Sequence, residues 1–167
     1  MKIVFISVFL LSLSNFAFAE DSVVLPKNDP DAHHGISLKV NLESKVKSIF
    51  NDGQVIDVST DPLNKRNFGV FVETLTKISY MYKSVVITEE IYVVYSNLSK
   101  IYVEKGQSVT AGTVIGNGGG IGTNIYPTSN DVFIFIFTKE HSPFLNGKTG
   151  NNYFEDKVFW WDPSFLF

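Results

Sequence analysis

Apolar and polar residues alternate along this chain with the two-residue period of strands, and the helical period is nearly absent. Ile36-Ser37-Leu38-Lys39-Val40 alternates as a half-buried strand does. Phe68 to Leu75 and Ser84 to Leu98 are dense in β-branched and aromatic residues, which favour strands. Lys47 to Phe50 runs into Asn51-Asp52-Gly53, a tight-turn signal, and Gln54 to Val58 is expected as the hairpin partner. Gly106 to Val109 and Gly112 to Gly116 read as short strands bounded by turns. Asp131 to Phe137 is an almost unbroken apolar run, predicted to be a strand buried on both faces. Lys157 to Trp161 forms a last strand before the stop at Pro163. Leu42 to Ile49 is the nearest approach to a helical pattern, and it is too short to define a helix. The pattern predicts an all-β fold, a compact antiparallel sandwich or barrel-like sheet.

The first 19 residues stand apart. Lys2, an apolar run from Ile3 to Leu13, and Ala17-Phe18-Ala19 have the layout of a secretory signal peptide with an A-x-A cleavage site. The run is shorter than the roughly 20 apolar residues that span a bilayer. Residues 20–32 hold two prolines and several acids and read as an extended leader, and residues 33–167 form the domain. The expected location is periplasmic or secreted, with no transmembrane anchor after cleavage.

The chain has 167 residues with a net charge of −3, which gives no electrostatic reason to expect nucleic acid as a partner. It has no cysteine, so disulfides, thiol nucleophiles and Cys-type zinc sites are excluded. A zinc site would have to draw on its 3 histidines, His33, His34 and His141, plus carboxylates. His33 and His34 are adjacent and point to opposite faces of a strand, so one ion rarely takes both. The glycine loop Gly118 to Gly122 lacks the G-x-x-x-x-G-K-S/T pattern and a following helix, and reads as a hairpin connection.

Taken in order, these segments resemble the lysostaphin/LytM-type zinc peptidases, peptidase family M23. His33-His34-Gly35-Ile36-Ser37-Leu38 is similar to the family's H-x-G-I-D-I/L opening. Asp52-Gly53-Gln54-Val55 is similar to its D-G-x-V hairpin, and Val94 to Ile101 to its V-Y-x-H-L-S-x-I strand. Val103 to Gly116 resembles its spaced-glycine block, and Asn146-Gly147-Lys148 and Asp162-Pro163 its closing pieces. The spaced glycines also resemble the turn of biotinyl or lipoyl carriers, but the carrier lysine is missing between Gly106 and Gly122.

The resemblance implies a zinc site built from a His and an Asp of the opening motif and the second His of a late H-x-H strand. Two further histidines position the attacking water. Here only His33 stands at a matching position. Ser37 takes the Asp place, Asn97 the Y-x-H-L histidine, and Val132 and Ile134 the H-x-H pair. A hydroxyl lacks the charge of a carboxylate on Zn²⁺, and an amide does not exchange protons near neutral pH. No catalytic residue, metal or other cofactor is therefore expected. The expected binding cleft is His33, Ser37, Asn97 and Ile134, flanked by the insert Lys77 to Glu90.

The resemblance then implies a pseudoenzyme, a non-catalytic domain that binds peptidoglycan or regulates a cell-wall enzyme. The alternative is an active zinc endopeptidase that cuts peptide cross-bridges with atypical ligands. A third reading is an envelope structural protein whose sheet assembles with another chain.

Overall fold

A computed structural model of the chain describes residues 35–41, 43–64, 66, 68–82, 84–119, 131–139, 149–150 and 158–160. Among these residues every regular element is a strand. They are β1 (Gly35–Leu38), β2 (Lys45–Lys47), β3 (Gly53–Ser59), β4 (Phe71–Tyr82), β5 (Val85–Ser96), β6 (Lys100–Ile101), β7 (Ser108–Val109), β8 (Val114–Asn117), β9 (Val132–Thr138), β10 (Thr149–Gly150) and β11 (Val158–Trp160). All pairings are antiparallel. The fold is all-β, as the two-residue period predicts.

The larger sheet runs β10-β11-β9-β5-β4-β3-β7, and β1 also pairs with β9. The smaller sheet runs β2-β8-β6. Strand β9 has β5 along one edge. Its other edge is shared, with β1 against Val132 to Phe135 and β11 against Phe137 and Thr138. That central position explains its composition, since both faces are covered and every residue from Val132 to Thr138 is buried.

Alternation along these strands sorts the apolar side chains into two clusters. Val72, Val93, Tyr95, Val132, Ile134 and Ile136 point toward the smaller sheet and pack with its Val46 and Ile115. Phe71, Tyr92, Val94, Phe133, Phe135 and Phe137 lie on the opposite face of the larger sheet, with Phe68. Tyr95 is fully buried between the sheets, and its hydroxyl accepts the Ile49 N–H at 2.9 Å. Close contact between β6 and β8 requires glycine at 116, because a Cβ there would sit 2.4 Å from the Lys100 carbonyl oxygen.

The expected hairpin across Asn51-Asp52-Gly53 does not form. Residues 45–47 pair with β8 of the smaller sheet, whereas β3 pairs with β4 and β7 of the larger one. The chain leaves β2 at Ser48, whose N–H donates to the Thr113 carbonyl at 2.8 Å, and buries Phe50. The Asn-Asp-Gly turn, with Asp52 at φ 54°, is thus a corner between sheets. The insert Lys77 to Glu90 is regular strand over most of its length. It is the outer part of a single long β4–β5 hairpin.

Candidate functional site

Three polar side chains that sequence places far apart meet at one end of β1, β5 and β9. Ser37 is held in β1 opposite Phe133 of β9. Asn97 closes β5 with a left-handed backbone, φ 60°, a conformation that Asn tolerates better than most residues. Its N–H donates to the Phe68 carbonyl at 3.2 Å and the next N–H, of Leu98, to Val70 at 2.9 Å. Both bonds fix Asn97 at the sheet's end, where it is 1% exposed.

Asp131 joins the two. The Ser37 hydroxyl donates to the Asp131 carboxylate at 2.8 Å, and the Asn97 amide donates to the Asp131 backbone carbonyl at 2.7 Å. Both donors are buried, so losing either acceptor would leave an unmet polar group. The cluster therefore acts as a clasp that ties the entry of β9 to β1 and β5.

Antiparallel partners share a face, so Ser37 lies on the side of the larger sheet that carries Phe133 and Phe135. That face is aromatic. The Phe68 and Phe135 rings lie 5.2 Å apart, and Phe68 meets Phe71 edge-on at 5.7 Å. Tyr92 stacks on Phe137 at 5.1 Å. The Arg66 guanidinium lies 5.3 Å from the Phe68 ring and 5.1 Å from the Phe71 ring. Its two terminal nitrogens reach the Glu73 carboxylate at 2.6 and 3.1 Å. Such a bidentate pair beside aromatic faces is a geometry that suits arginine and not lysine.

Of the expected cleft residues, Ser37 and Asn97 converge, and Ile134 does not join them. Ile134 pairs with Ile36 and Tyr95, is 1% exposed, and belongs to the core between the sheets, as does Val132. An ion shared with position 37 must be met from position 37's own face. The residues of that parity are Asp131, Phe133 and Phe135, whereas Val132 and Ile134, the positions read from sequence as the H-x-H pair, face the core between the sheets. Asp131 is the residue that sequence reasoning undervalued. Its signal was parity, two positions before Phe133 on the same side of the strand. His33, His34 and His141 lie outside the described residues.

A catalytic Zn²⁺ site takes three N, O or S protein ligands and keeps one position open. Around position 37 the described residues offer a hydroxyl, an amide and one carboxylate that already accepts a hydrogen bond. No group of three His, Cys, Asp or Glu comes together among the described residues. Ser37, Asn97 and Asp131 alone do not supply three such ligands. Nor does any described helix have the length and apolarity to cross a membrane.

A domain of two antiparallel sheets, with a small polar clasp at the edge of an aromatic face, is the class that fold and site define. The sequence matches the model of peptidase family M23 over residues 31–141, and the chain belongs to that family. Among solved structures it is similar to the catalytic domain of the antimicrobial peptidase lysostaphin from Staphylococcus simulans. There the identity is 19%, the TM-score 0.50, and 80% of this chain and 78% of that one are covered. A catalytic-domain variant of the prophage-encoded M23 protein EnpA from Enterococcus faecalis shows 21% identity and a TM-score of 0.47, covering 75% and 82%. The chain spans only 38% of the lysostaphin solution structure, at 22% identity over 66% of its own length and a TM-score of 0.46. No curated protein matches the sequence.

Proposed function

We propose that this chain is a non-catalytic M23 domain, exported through residues 1–19 to the periplasm or beyond, that binds peptidoglycan or regulates a cell-wall enzyme. The carrying observation is the 2.8 Å bond from the Ser37 hydroxyl to Asp131. It puts a neutral hydroxyl, already bound to a neighbouring carboxylate, in the place where a hydrolytic relative needs a free anionic ligand. The aromatic floor beside it supports the same reading. Burying Phe133 and Phe135 stabilises the domain, and neither side chain can bind a cation through a lone pair or transfer a proton.

An active zinc endopeptidase with atypical ligands is the second reading. It draws on family membership and on Asp131, a carboxylate that shares the face of Ser37. The two readings separate in one set of measurements on the purified protein. Zinc content, binding to isolated peptidoglycan, and release of soluble fragments are measured together. Binding to peptidoglycan or capture of a cell-wall hydrolase, without bound zinc and without release, is the expected result. Stoichiometric zinc together with turnover overturns it.

A further inference from the structure

Strands β4 and β5 outrun the sheet that holds them. Pairing of β3 with β4 ends at Leu75, and pairing of β9 with β5 ends at Tyr92. The β4–β5 ladder nevertheless continues to Tyr82 opposite Val85. The rungs from Lys77–Glu90 to Tyr82–Val85 make a two-stranded arm about 20 Å long at the usual rise per residue. At its base the Lys77 ammonium lies 3.4 Å from the Glu90 carboxylate, and Ser79 and Thr88 hydroxyls are 2.8 Å apart.

Behind Lys83 and Ser84, which join the two strands, the arm is apolar on both sides. Met81 is 71% exposed, Val85 62% and Val86 66%. Met81 and Val86 are cross-strand partners on one face, and Val85, one residue along, points from the other. A protein groove that takes one face of a ribbon leaves the second in water, whereas a lipid surface covers both.

Polarity is also graded along the arm and not across it. Toward the sheet, the apolar rungs are followed by the Ser79–Thr88 rung and then by the Ile78–Glu89 and Lys77–Glu90 rungs, which carry three charged residues. This is the order of the acyl boundary, the headgroups and the aqueous layer. Charge points the same way. Between Ile78 and Thr88 the sequence has one charged residue, Lys83, and no acid, although the whole chain carries −3. Lys77, Glu89 and Glu90 at the base bring the whole arm to zero net charge, so its cationic character is confined to Lys83 at the outer end, which suits anionic headgroups.

We propose that the β4–β5 arm is a bilayer-docking element whose Met81, Val85 and Val86 end enters the headgroup–acyl boundary of an anionic lipid surface. This holds whichever way the Ser37 site acts, and it does not depend on the absence of catalysis.

The absence of native cysteine makes the test direct. Val86→Cys and, as a control, Thr110→Cys at an exposed position away from the arm, are each labelled with an environment-sensitive fluorophore. Each is mixed with phosphatidylethanolamine vesicles that contain phosphatidylglycerol as the minor lipid. The expected result is a blue shift at position 86, quenched by a lipid-borne quencher, with no change at position 110. Adding Met81→Ser and Val85→Ser to the position-86 chain weakens vesicle binding by about tenfold or more, since each buried aliphatic side chain is worth a kcal/mol or more. An unchanged signal at 86 overturns the proposal. So does an equal shift at both positions, or a lipid-independent shift that grows with protein concentration and marks a second copy of the chain.

Discussion

Replacing Ser37 by Asp is the smallest change that returns a carboxylate to the position where the family resemblance places a zinc ligand. The structure predicts that it weakens the fold. The Ser37 hydroxyl is 2.8 Å from the Asp131 carboxylate, so the new carboxylate lands against an existing one. Two unit charges ~4 Å apart at an effective dielectric of ~20 repel by about 4 kcal/mol. The pair can avoid this by keeping one proton between them. Holding that proton at pH 7 on a group with an ordinary pKa near ~3.9 costs about 4 kcal/mol, so the escape is no easier. Asp131 is only half-buried, and water reduces the repulsion. The expected loss is therefore about 2–4 kcal/mol, or about 5–15 °C in Tm for a chain of this size. A shared proton has a folded-state pKa above its unfolded value. The penalty is accordingly absent below about pH 4 and grows as pH rises through the folded value. Thermal melts of both proteins at pH 4 and pH 7, with and without added zinc, read the effect. Equal stability at pH 7 refutes the argument, and so does a zinc-dependent rise in Tm confined to the Ser37→Asp protein.

Three further outcomes follow from the core and the small sheet. Burial pushes the Tyr95 phenol up to about 12 from 10.0, against the opposing hydrogen bond from Ile49. Its contribution is complete below pH ~10 and fades by about 3 kcal/mol as pH rises to ~12. Tyr95→Phe costs about 1–3 kcal/mol at pH 7 by leaving the Ile49 N–H without its acceptor, and it flattens the alkaline limb of a denaturation series. Glu73→Gln weakens the bidentate grip on Arg66 and costs about 1–3 kcal/mol in urea unfolding, with a smaller loss in high salt only if the pair is more exposed than its 7% for Glu73 implies. Gly116→Ala forces a Cβ into the Lys100 carbonyl and parts β6 from β8. Amide exchange in residues 100–101 and 114–117 is expected to speed up before any change in the larger sheet.

Strand identity was legible because it is local. The alternation in Ile36 to Val40 and the apolar run from Val132 to Phe137 each carry their period within a few residues, and the structure places strands at both. The turn at Asn51-Asp52-Gly53 was legible as a turn, but its partners were not. Whether Val46 pairs with β3 or with Gly116 of β8 depends on where Phe50 is buried, and that is a property of both sheets together. The insert from Lys77 to Glu90 was legible as aromatic and aliphatic. Its composition left open whether Met81, Val85 and Val86 were core or surface, and their exposure decides it.

By itself the sequence determined the all-β class, the absence of thiol chemistry, the family resemblance and a supply of only three histidines. These depend on residue identity and short-range period alone. Tertiary structure decided which side chains share a face. Ser37 and Asp131 are 94 residues apart, and their contact follows from the register of β1 on β9. A one-residue change in that register exchanges Phe133 for Ile134 beside Ser37 and moves a side chain from the site to the core. Register is fixed by pairing and burial summed over the whole sheet, which no short stretch of sequence contains.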